Sequence, residues 1–599
     1  MKHRNDIQIF RGVAVIFVVL YHLRVGIFAS GFLGVDVFFV ISGFLMQRLY
    51  GDNSNPLSFY SRRARRLLPA YFATIAATLA AAYFVTLPVE YEQVVQQAEF
   101  AAAFASNIGF WMQNSYFAHT EFNPLLHLWS LGVELQFYLI LPAMVALNRK
   151  FRWSTLSLTA ISLVACLAAV TISPKLSFFM MPLRVWEFGL GMLVAQRPEQ
   201  DGRWQWPSLL CAAGILAVPA LPVDGEALSV FWGHPAGAAL LVTLCTAGLL
   251  AFRLPSQMVD SWIGIALQRL GDISYSVYLA HFPVIVLYHY APFHGTQLGD
   301  GSPGDIAVLL ALIAIATCAI YFGFERPGPR FYSPRRMLLS AGSVVAAALI
   351  LQALQLSRYD AGDRLIFAAL RDRGPYRCGK FFRILHPSES FCPIADETGQ
   401  RIMLVGDSHA DAIKETFARM AQRHGLTTYF AVGNDPLLSP GLNVDWLTGQ
   451  ARLLGVRAVF FHYSPPNLSL ATIESARAAL EHLGIATILI EPVPVYADSV
   501  PQLLYRARHG REPVPVQTRQ SYHAGSRDLE RYLRSTPSIG VIDPSETLCT
   551  PICRLADAGG RPFYFDSGHL TLTGAEQLAG NLDAGIGRAG EGSGHPGAR

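Results

Sequence analysis

Charge is scarce in this sequence. Only 15% of its 599 residues are Asp, Glu, Lys or Arg, against 52% hydrophobic, a balance that excludes an ordinary soluble globular protein. The net charge of +4 is small for the length and the arginines cluster between apolar stretches, so a nucleic-acid partner is excluded and the clusters read as topology signals. No halved hydropathy repeat marks a transporter. Neither a histidine nor a further cysteine stands at ligand spacing beside the soluble cysteines, so disulfides are favoured over zinc and no metal is expected.

What is present is a change of pattern. Apolar stretches of roughly 20 residues recur from position 7 to 356, then give way to strand-like runs, proline-rich turns and scattered charge. The expected organisation is a transmembrane domain over 1–335, a further helix and linker over 336–360, a soluble domain over 361–587 and a disordered Gly-, Ala- and Arg-rich tail over 588–599.

Eleven spans are expected, over 7–28, 32–50, 70–88, 131–148, 154–172, 178–196, 207–223, 232–252, 273–292, 304–323 and 337–356. Residues 98–116, interrupted by Glu99, Asn107 and Gln113, read as re-entrant or interfacial. The first stretch follows Lys2 and Arg4 as a signal peptide would, but it carries Arg11 and His22 and runs into a second apolar segment, so a retained helix is expected.

Positive loops stay cytoplasmic. With the N-terminus inside, the inner loops hold Arg62, Arg63, Arg65 and Arg66; Arg149, Lys150 and Arg152; Arg197 and Arg203; Arg253; and Arg326, Arg330, Arg335 and Arg336. Outer loops carry Glu90, Glu92, Asp224 and Glu226. An odd number of spans leaves the C-terminal domain outside. Cysteine usage agrees: Cys166, Cys211, Cys245 and Cys318 lie in apolar stretches as small core residues, whereas Cys378 with Cys392 and Cys549 with Cys553 are expected to pair in an oxidising compartment.

Ionisable groups in hydrocarbon need a structural or functional reason. Arg11 and His22 stand three helical turns apart on nearly one face, where a shared partner is expected. Asp36, Glu134, Arg184 and Glu187 suit a buried ion-pair network. His22 reads either as a satisfied core histidine or as a proton acceptor. The run SRRARRLLP (61–69) suits anionic headgroups and equally a phosphorylated donor held by guanidinium forks.

In the soluble part, RIMLVGDSHADAI reads as a buried strand, a tight turn at Gly406 and a helix opening at Ser408, where an oxyanion is favoured. A plain N-cap serine is the other reading. Asp566 precedes His569 by three residues, a spacing that lets a carboxylate orient an imidazole toward Ser408. LTTYFAV, VRAVFFHY and IATILIEPV suit a doubly wound parallel sheet.

Five blocks, RGVAVIFVVLYH (11–22), GFLGVDVFFVISGFLM (31–46), FYSRRARRLLPAYF (59–72), HLWSLGVELQFYLI (127–140) and GDISYSVYLAHFPVI (271–285), resemble the acyltransferase-3 family in order and spacing. The resemblance implies an acyl-coenzyme A donor, with acetyl expected and no tightly bound cofactor. It also implies donor binding by Arg63 and Arg66, support from Arg11, Asp36 and Glu134, and participation of His22 in acyl transfer. His22 lies about 22 Å along its helix, comparable to a pantetheine arm.

GDSH (406–409) together with DSGHLT (566–571) resembles the SGNH hydrolase-like superfamily. This implies Ser408 as nucleophile, His569 as base and Asp566 as its orienter, with Gly433 or Asn434, and Asn467, as oxyanion candidates. The fused pair, with close cysteines before Asp566, is similar to bacterial O-antigen acetyltransferases. That similarity implies a multi-span α-helical domain and an α/β SGNH-like domain in the inner membrane, among membrane lipid, acting on a carbohydrate hydroxyl. An outer-face esterase and a transporter or flippase are the alternative readings.

Overall fold

Asparagine caps and first-turn prolines open helices, and Asn55–Pro56 does so here: the Asn55 side chain accepts from the Leu57 N–H at 2.9 Å and the helix runs unbroken to Val85. The computed structural model describes residues 4–50, 55–113, 121–197, 206–225, 227–327, 334–386, 388–395, 397, 399–433 and 437–590. The chain divides into two units, Met1–Ser357 and Arg358–Arg599.

The first unit is helical: α1 (Asn5–His22), α2 (Gly34–Tyr50), α3 (Pro56–Val85), α4 (Pro88–Ala102), α5 (Ser106–Met112), α6 (Leu128–Lys150), α7 (Ser154–Val170), α8 (Pro174–Phe179), α9 (Val185–Ala195), α10 (Trp206–Ala217), α11 (Gly237–Phe252), α12 (Ser256–Val259), α13 (Trp262–Asp272), α14 (Ser274–Tyr288), α15 (Pro303–Ile320) and α16 (Pro334–Leu356). Among the described residues six helical segments are long and apolar enough to cross a membrane. α13 and α14 pass together but meet at 70°, and four shorter apolar helices accompany them.

Three expected spans differ. α3 begins at Pro56 rather than near 70, so Arg62, Arg63, Arg65 and Arg66 ride on a helix and not in a loop; the Asn55 cap and the good helix formers Arg and Ala carry the helix outward past the apolar stretch. The 178–196 segment is interrupted between the end of α8 at Phe179 and the start of α9 at Val185, because Met181–Leu183 form a 3₁₀ turn around Pro182, which lacks an N–H and restricts the residue before it. The span expected over 273–292 is preceded by α13, too short and too polar around Gln268–Arg269 to announce itself. Of residues 98–116, those up to Gln113 are likewise split between α4 and α5, with Phe104 at φ +56° between them, and 114–116 lie outside the described residues.

α2 and α9 cross with their backbones touching. A Cβ on Gly43 would lie 2.0 Å from the Phe188 carbonyl oxygen, and one on Gly191 would lie 2.0 Å from that of Val40. Small residues permit such approach between apolar helices. It brings Asp36 on α2 beside the residues that open α9.

The second unit is built on a six-stranded sheet: β1 (Phe391–Ile394), β2 (Gln400–Gly406), β3 (Leu426–Ala431), β4 (Val456–His462), β5 (Ala486–Ile490) and β6 (Gly540–Ile542), in spatial order β1-β3-β2-β4-β5-β6. Alternation divides the strands between two cores. Ile402, Leu404, Phe460 and Ile488 pack on the side of Phe417 and Met420, while Met403, Val405, Val459 and Leu489 pack against Leu447 and Ile473. Five strands are parallel, but β1 runs antiparallel to β3. The expectation of a doubly wound parallel sheet is corrected to a mixed one: β1 ends at Ile394 and β2 begins at Gln400, a separation too short for a parallel crossover. Cys378–Cys392 and Cys549–Cys553 are disulfide-bonded, so none of the four is a zinc ligand.

Candidate active sites

β2 ends at Gly406, where a side chain cannot be accommodated: a Cβ would lie 1.8 Å from the His462 carbonyl oxygen of neighbouring β4. The chain then turns into α17 (Ser408–Arg423), capped by Asp407, which accepts from the His409 N–H at 2.9 Å. Ser408 is thereby placed on the first turn, exposed, at the positive end of the helix dipole.

Near the end of the chain, the bend Phe565–Leu570 is tied by its own aspartate. Asp566 Oδ1 accepts from the N–H groups of Gly568 (2.9 Å) and His569 (2.7 Å), and its Oδ2 lies 2.6 Å from His569 Nδ1. His569 Nε2 is 2.6 Å from Ser408 Oγ. A carboxylate, an imidazole and a hydroxyl thus form one hydrogen-bonded line, the arrangement that activates a hydroxyl nucleophile. The spacing of Asp566 and His569 announced it.

The electrostatics suit that use. Burial pulls the His569 pKa down, but the hydrogen bond and charge of Asp566, helped by Asp407 and Asp411, leave it above the usual histidine value. Burial would raise Asp566, yet His569 and the two backbone N–H groups hold it below the usual carboxylate range. His409, whose ring centroid is 4.5 Å from that of His569, is pushed down to about 3 by burial and by its histidine neighbours. It stays neutral and does not compete for the proton.

Asn467 Nδ2 donates to Asp407 Oδ2 at 2.8 Å. The same oxygen accepts from the Ser464 N–H (2.9 Å) and hydroxyl (2.5 Å). Despite burial, these donors hold Asp407 below its usual pKa. Asp407 therefore joins the Ser408 turn to the Asn467 loop, a role that its place inside the GDSH motif did not disclose. Gly433 lies two residues beyond the end of β3, and Asn434 lies outside the described residues.

Two cavities among the described residues of the helical unit gather its polar side chains. The larger, about 100 Å³, is lined by Arg11, Arg63, Arg66, Ser42, Glu134, Tyr138, Tyr275 and Tyr278 among others. Arg63, half-buried, and Arg66, exposed, both reach it because an i, i+3 pair shares one helix face; Arg62 and Arg65, also exposed, do not line it. Ser42 and Tyr138 both donate to Glu134 Oε1, and Arg11 donates to Gln8 at 3.2 Å.

The smaller cavity, about 10 Å³, is lined by His22, Arg184, His234, Trp129, Phe178 and Tyr278 among others. Val35 and Tyr278 line both cavities. Beside the smaller one Asp36 meets Arg184 at 3.1 Å and His234 at 3.3 Å, and Arg184 meets Glu187 at 3.0 Å, all fully or almost fully buried. The expected ion-pair network is thus made of Asp36, Arg184 and Glu187, whereas Glu134 and Arg11 belong to the larger cavity. The partner expected to be common to Arg11 and His22 is replaced by separate surroundings: His22 Nδ1 faces His281 Nε2 at 3.2 Å, and its ring neighbours include His281 and Phe282. His281, His127, Tyr278 and Ser42 were missed as site residues, although each sits inside a block quoted for the resemblance.

Comparison with known proteins follows the same division. Residues 4–352 match the family described as "Acyltransferase domain", and residues 377–584 match "SGNH domain (fused to AT3 domains)". BcsY of Komagataeibacter xylinus, named as a membrane-bound transacylase, is 33% identical over 367 residues, covering 59% of this chain and 90% of that protein. The O-acetyltransferase OatA of Staphylococcus aureus (strain NCTC 8325 / PS 47) is 29% identical over 311 residues, 46% of this chain and about half (49%) of the relative. The solved periplasmic domain of a Salmonella ser. Paratyphi A lipopolysaccharide acetyltransferase is 16% identical, covers 38% of this chain and 97% of that one, and has a TM-score of 0.28. With apolar helices in its first unit and a mixed sheet in its second, the chain is a membrane protein and belongs to the acyltransferase family in which the membrane domain is fused to an SGNH domain.

Proposed function

We propose that this protein moves an acyl group, acetyl by expectation, from cytoplasmic acyl-coenzyme A across the bacterial inner membrane to a hydroxyl of an envelope carbohydrate such as O-antigen. The observation that carries this reading is the larger cavity, which gathers Arg11, Arg63, Arg66 and Glu134 from three helices distant in sequence. Guanidinium groups at its lining suit the phosphates of coenzyme A. The names of the relatives, a transacylase and an O-acetyltransferase, support the reaction class.

Counting α13 and α14 as one span and the four shorter apolar helices as spans supports eleven crossings. With arginine-rich ends inside, the N-terminus is cytoplasmic and the SGNH unit periplasmic, where its two disulfides form.

Two acyl transfers follow. In the membrane unit the donor's phosphates rest on Arg63 and Arg66, and His22 accepts the proton of an attacking hydroxyl and returns it to the departing thiolate. In the outer unit His569 takes the proton of Ser408 as Oγ attacks the carbonyl carbon of the incoming ester, and returns it to the alcohol oxygen as the ester C–O bond breaks. A carbohydrate hydroxyl then displaces the acyl group from Ser408, with His569 again as base.

The test is full-length protein in proteoliposomes with acetyl-coenzyme A labelled in the acetyl group. Label appearing on glycan, and lost with Ser408→Ala, supports the proposal. Release of free acetate from acylated glycan without any transfer from the donor supports an esterase instead, and neither reaction supports a transporter.

A further inference from the structure

We propose that His281 is a positioning residue that fixes His22 in the tautomer whose Nε2 is the base, an inference resting on the reading of His22 as the proton acceptor above. His281 Nδ1 lies 2.7 Å from the Tyr278 carbonyl oxygen. A carbonyl can only accept, so that nitrogen carries the proton. The neutral ring then has its lone pair on Nε2, which lies 3.2 Å from His22 Nδ1. A lone pair needs a donor, so His22 Nδ1 is the protonated nitrogen, and the Val18 carbonyl one turn earlier on α1 also takes a hydrogen bond from the ring. His22 Nε2 is left with its lone pair.

The arrangement does for His22 what Asp566 does for His569, but with a neutral partner. In hydrocarbon a carboxylate beside the base would be costly, whereas a second imidazole held by a backbone carbonyl needs no charge in the resting state. His22 and His281 are both buried (4% and 0% exposed). The charged and titratable groups around the pair are His127 at the start of α6, Tyr21 on α1 and Arg24 just beyond it, Tyr278 on α14, and Arg184 and His234 across the smaller cavity.

In the transfer step the hydroxyl proton moves to His22 Nε2 while the hydroxyl oxygen bonds to the thioester carbonyl carbon. The C–S bond breaks, and Nε2 gives its proton to the thiolate sulfur. Between these events His22 is an imidazolium whose Nδ1–H donates to His281, a charge-assisted bond stronger than the neutral one. Without His281, His22 divides between two tautomers, one of which offers an N–H where a lone pair is needed.

The test compares His281→Leu, His281→Gln and His22→Ala in the full chain in proteoliposomes, following acyl transfer from acetyl-coenzyme A to glycan between pH 5 and 9, roughly the range in which histidine titrates. His281→Leu is expected to lower kcat roughly 100-fold with the donor KM unchanged, and to move the acid limb of kcat to lower pH, because the imidazolium loses its acceptor. His281→Gln, whose Oε1 can accept from Nδ1–H, is expected to restore most of kcat and the position of that limb. Wild-type kcat and pH profile in His281→Leu overturn the inference, as do equal losses in Leu and Gln with an unmoved profile. If His281→Leu does not reach the membrane, His281→Asn, too short to meet His22, replaces it with the same expectations. Full activity in His22→Ala overturns the reading of His22 itself and this inference with it, whereas an inactive His22→Ala beside an unaffected His281→Leu overturns only the inference.

Discussion

His569 Nε2 stands 2.6 Å from Ser408 Oγ while its Nδ1 stands 2.6 Å from Asp566 Oδ2, at a sequence separation of 161 in the first contact and three in the second. Because Asp566 outweighs burial in setting the proton affinity of His569, the neutral, active base appears only as pH rises through a value above the ordinary 6.5. Cleavage of a soluble acyl ester by the full-length protein is expected to show an acid limb there. Asp566→Asn removes the raising influence but leaves burial, so the limb moves to lower pH and the plateau falls by roughly 10³- to 10⁴-fold. A pH–rate profile of kcat/KM for both proteins checks it, and an unmoved limb would count against the hydrogen-bonded line as the working machinery.

Arg63 and Arg66 line the larger cavity from one face of α3. Hydrogen bonds to charged groups contribute about 1.5–3 kcal/mol, so replacing either arginine with Ala is expected to raise the donor KM by roughly 10- to 100-fold. Replacing exposed Arg62 should leave it within about twofold. Initial rates against acetyl-coenzyme A concentration decide the matter.

Asp36 and Arg184 are both wholly buried, 3.1 Å apart. Removing one partner of such a pair typically costs about 3–5 kcal/mol because the other is left uncompensated. Arg184→Leu is expected to lower the thermal aggregation temperature in detergent strongly, and Arg184→Leu with Asp36→Asn to lower it less. A double variant as unstable as the single one would show that packing, not charge, dominates at this position.

The Cys378–Cys392 disulfide closes a loop with a sequence separation of 14. Loop-closure entropy predicts about 3 kcal/mol for a loop of this size, so the Cys378→Ala/Cys392→Ala variant should unfold at a lower temperature by an amount matching about 2–3 kcal/mol. In intact cells both pairs should resist alkylation until a reductant is added. Reaction of Cys378 and Cys549 without reductant would place the SGNH unit in the cytosol.

Much of the site was legible because its chemistry sits in short sequence neighbourhoods. Asp566 and His569 are three residues apart, Arg63 and Arg66 likewise, and the glycine–aspartate–serine turn follows the apolar run Ile402–Val405 of β2. Long-range partnerships were not legible. That Ser42 donates to Glu134, or that His281 meets His22, depends on how helices distant in sequence pack, and a single sequence carries no periodicity for that. Helix breaks failed for a different reason: Pro182 and the 70° bend between α13 and α14 lie inside stretches whose mean hydropathy suits a continuous span. The direction of β1 was hidden because a strand's alternation is the same whether its neighbour runs parallel or antiparallel.

The bare contact of Gly43 and Gly191 with opposing carbonyls means that any larger residue at either position would force α2 away from α9. That separation would carry Val35, Phe38 and Ser42 away from Tyr275 and Tyr278 of α14 on the facing side, so two glycines remote from the arginines set the width of the larger cavity.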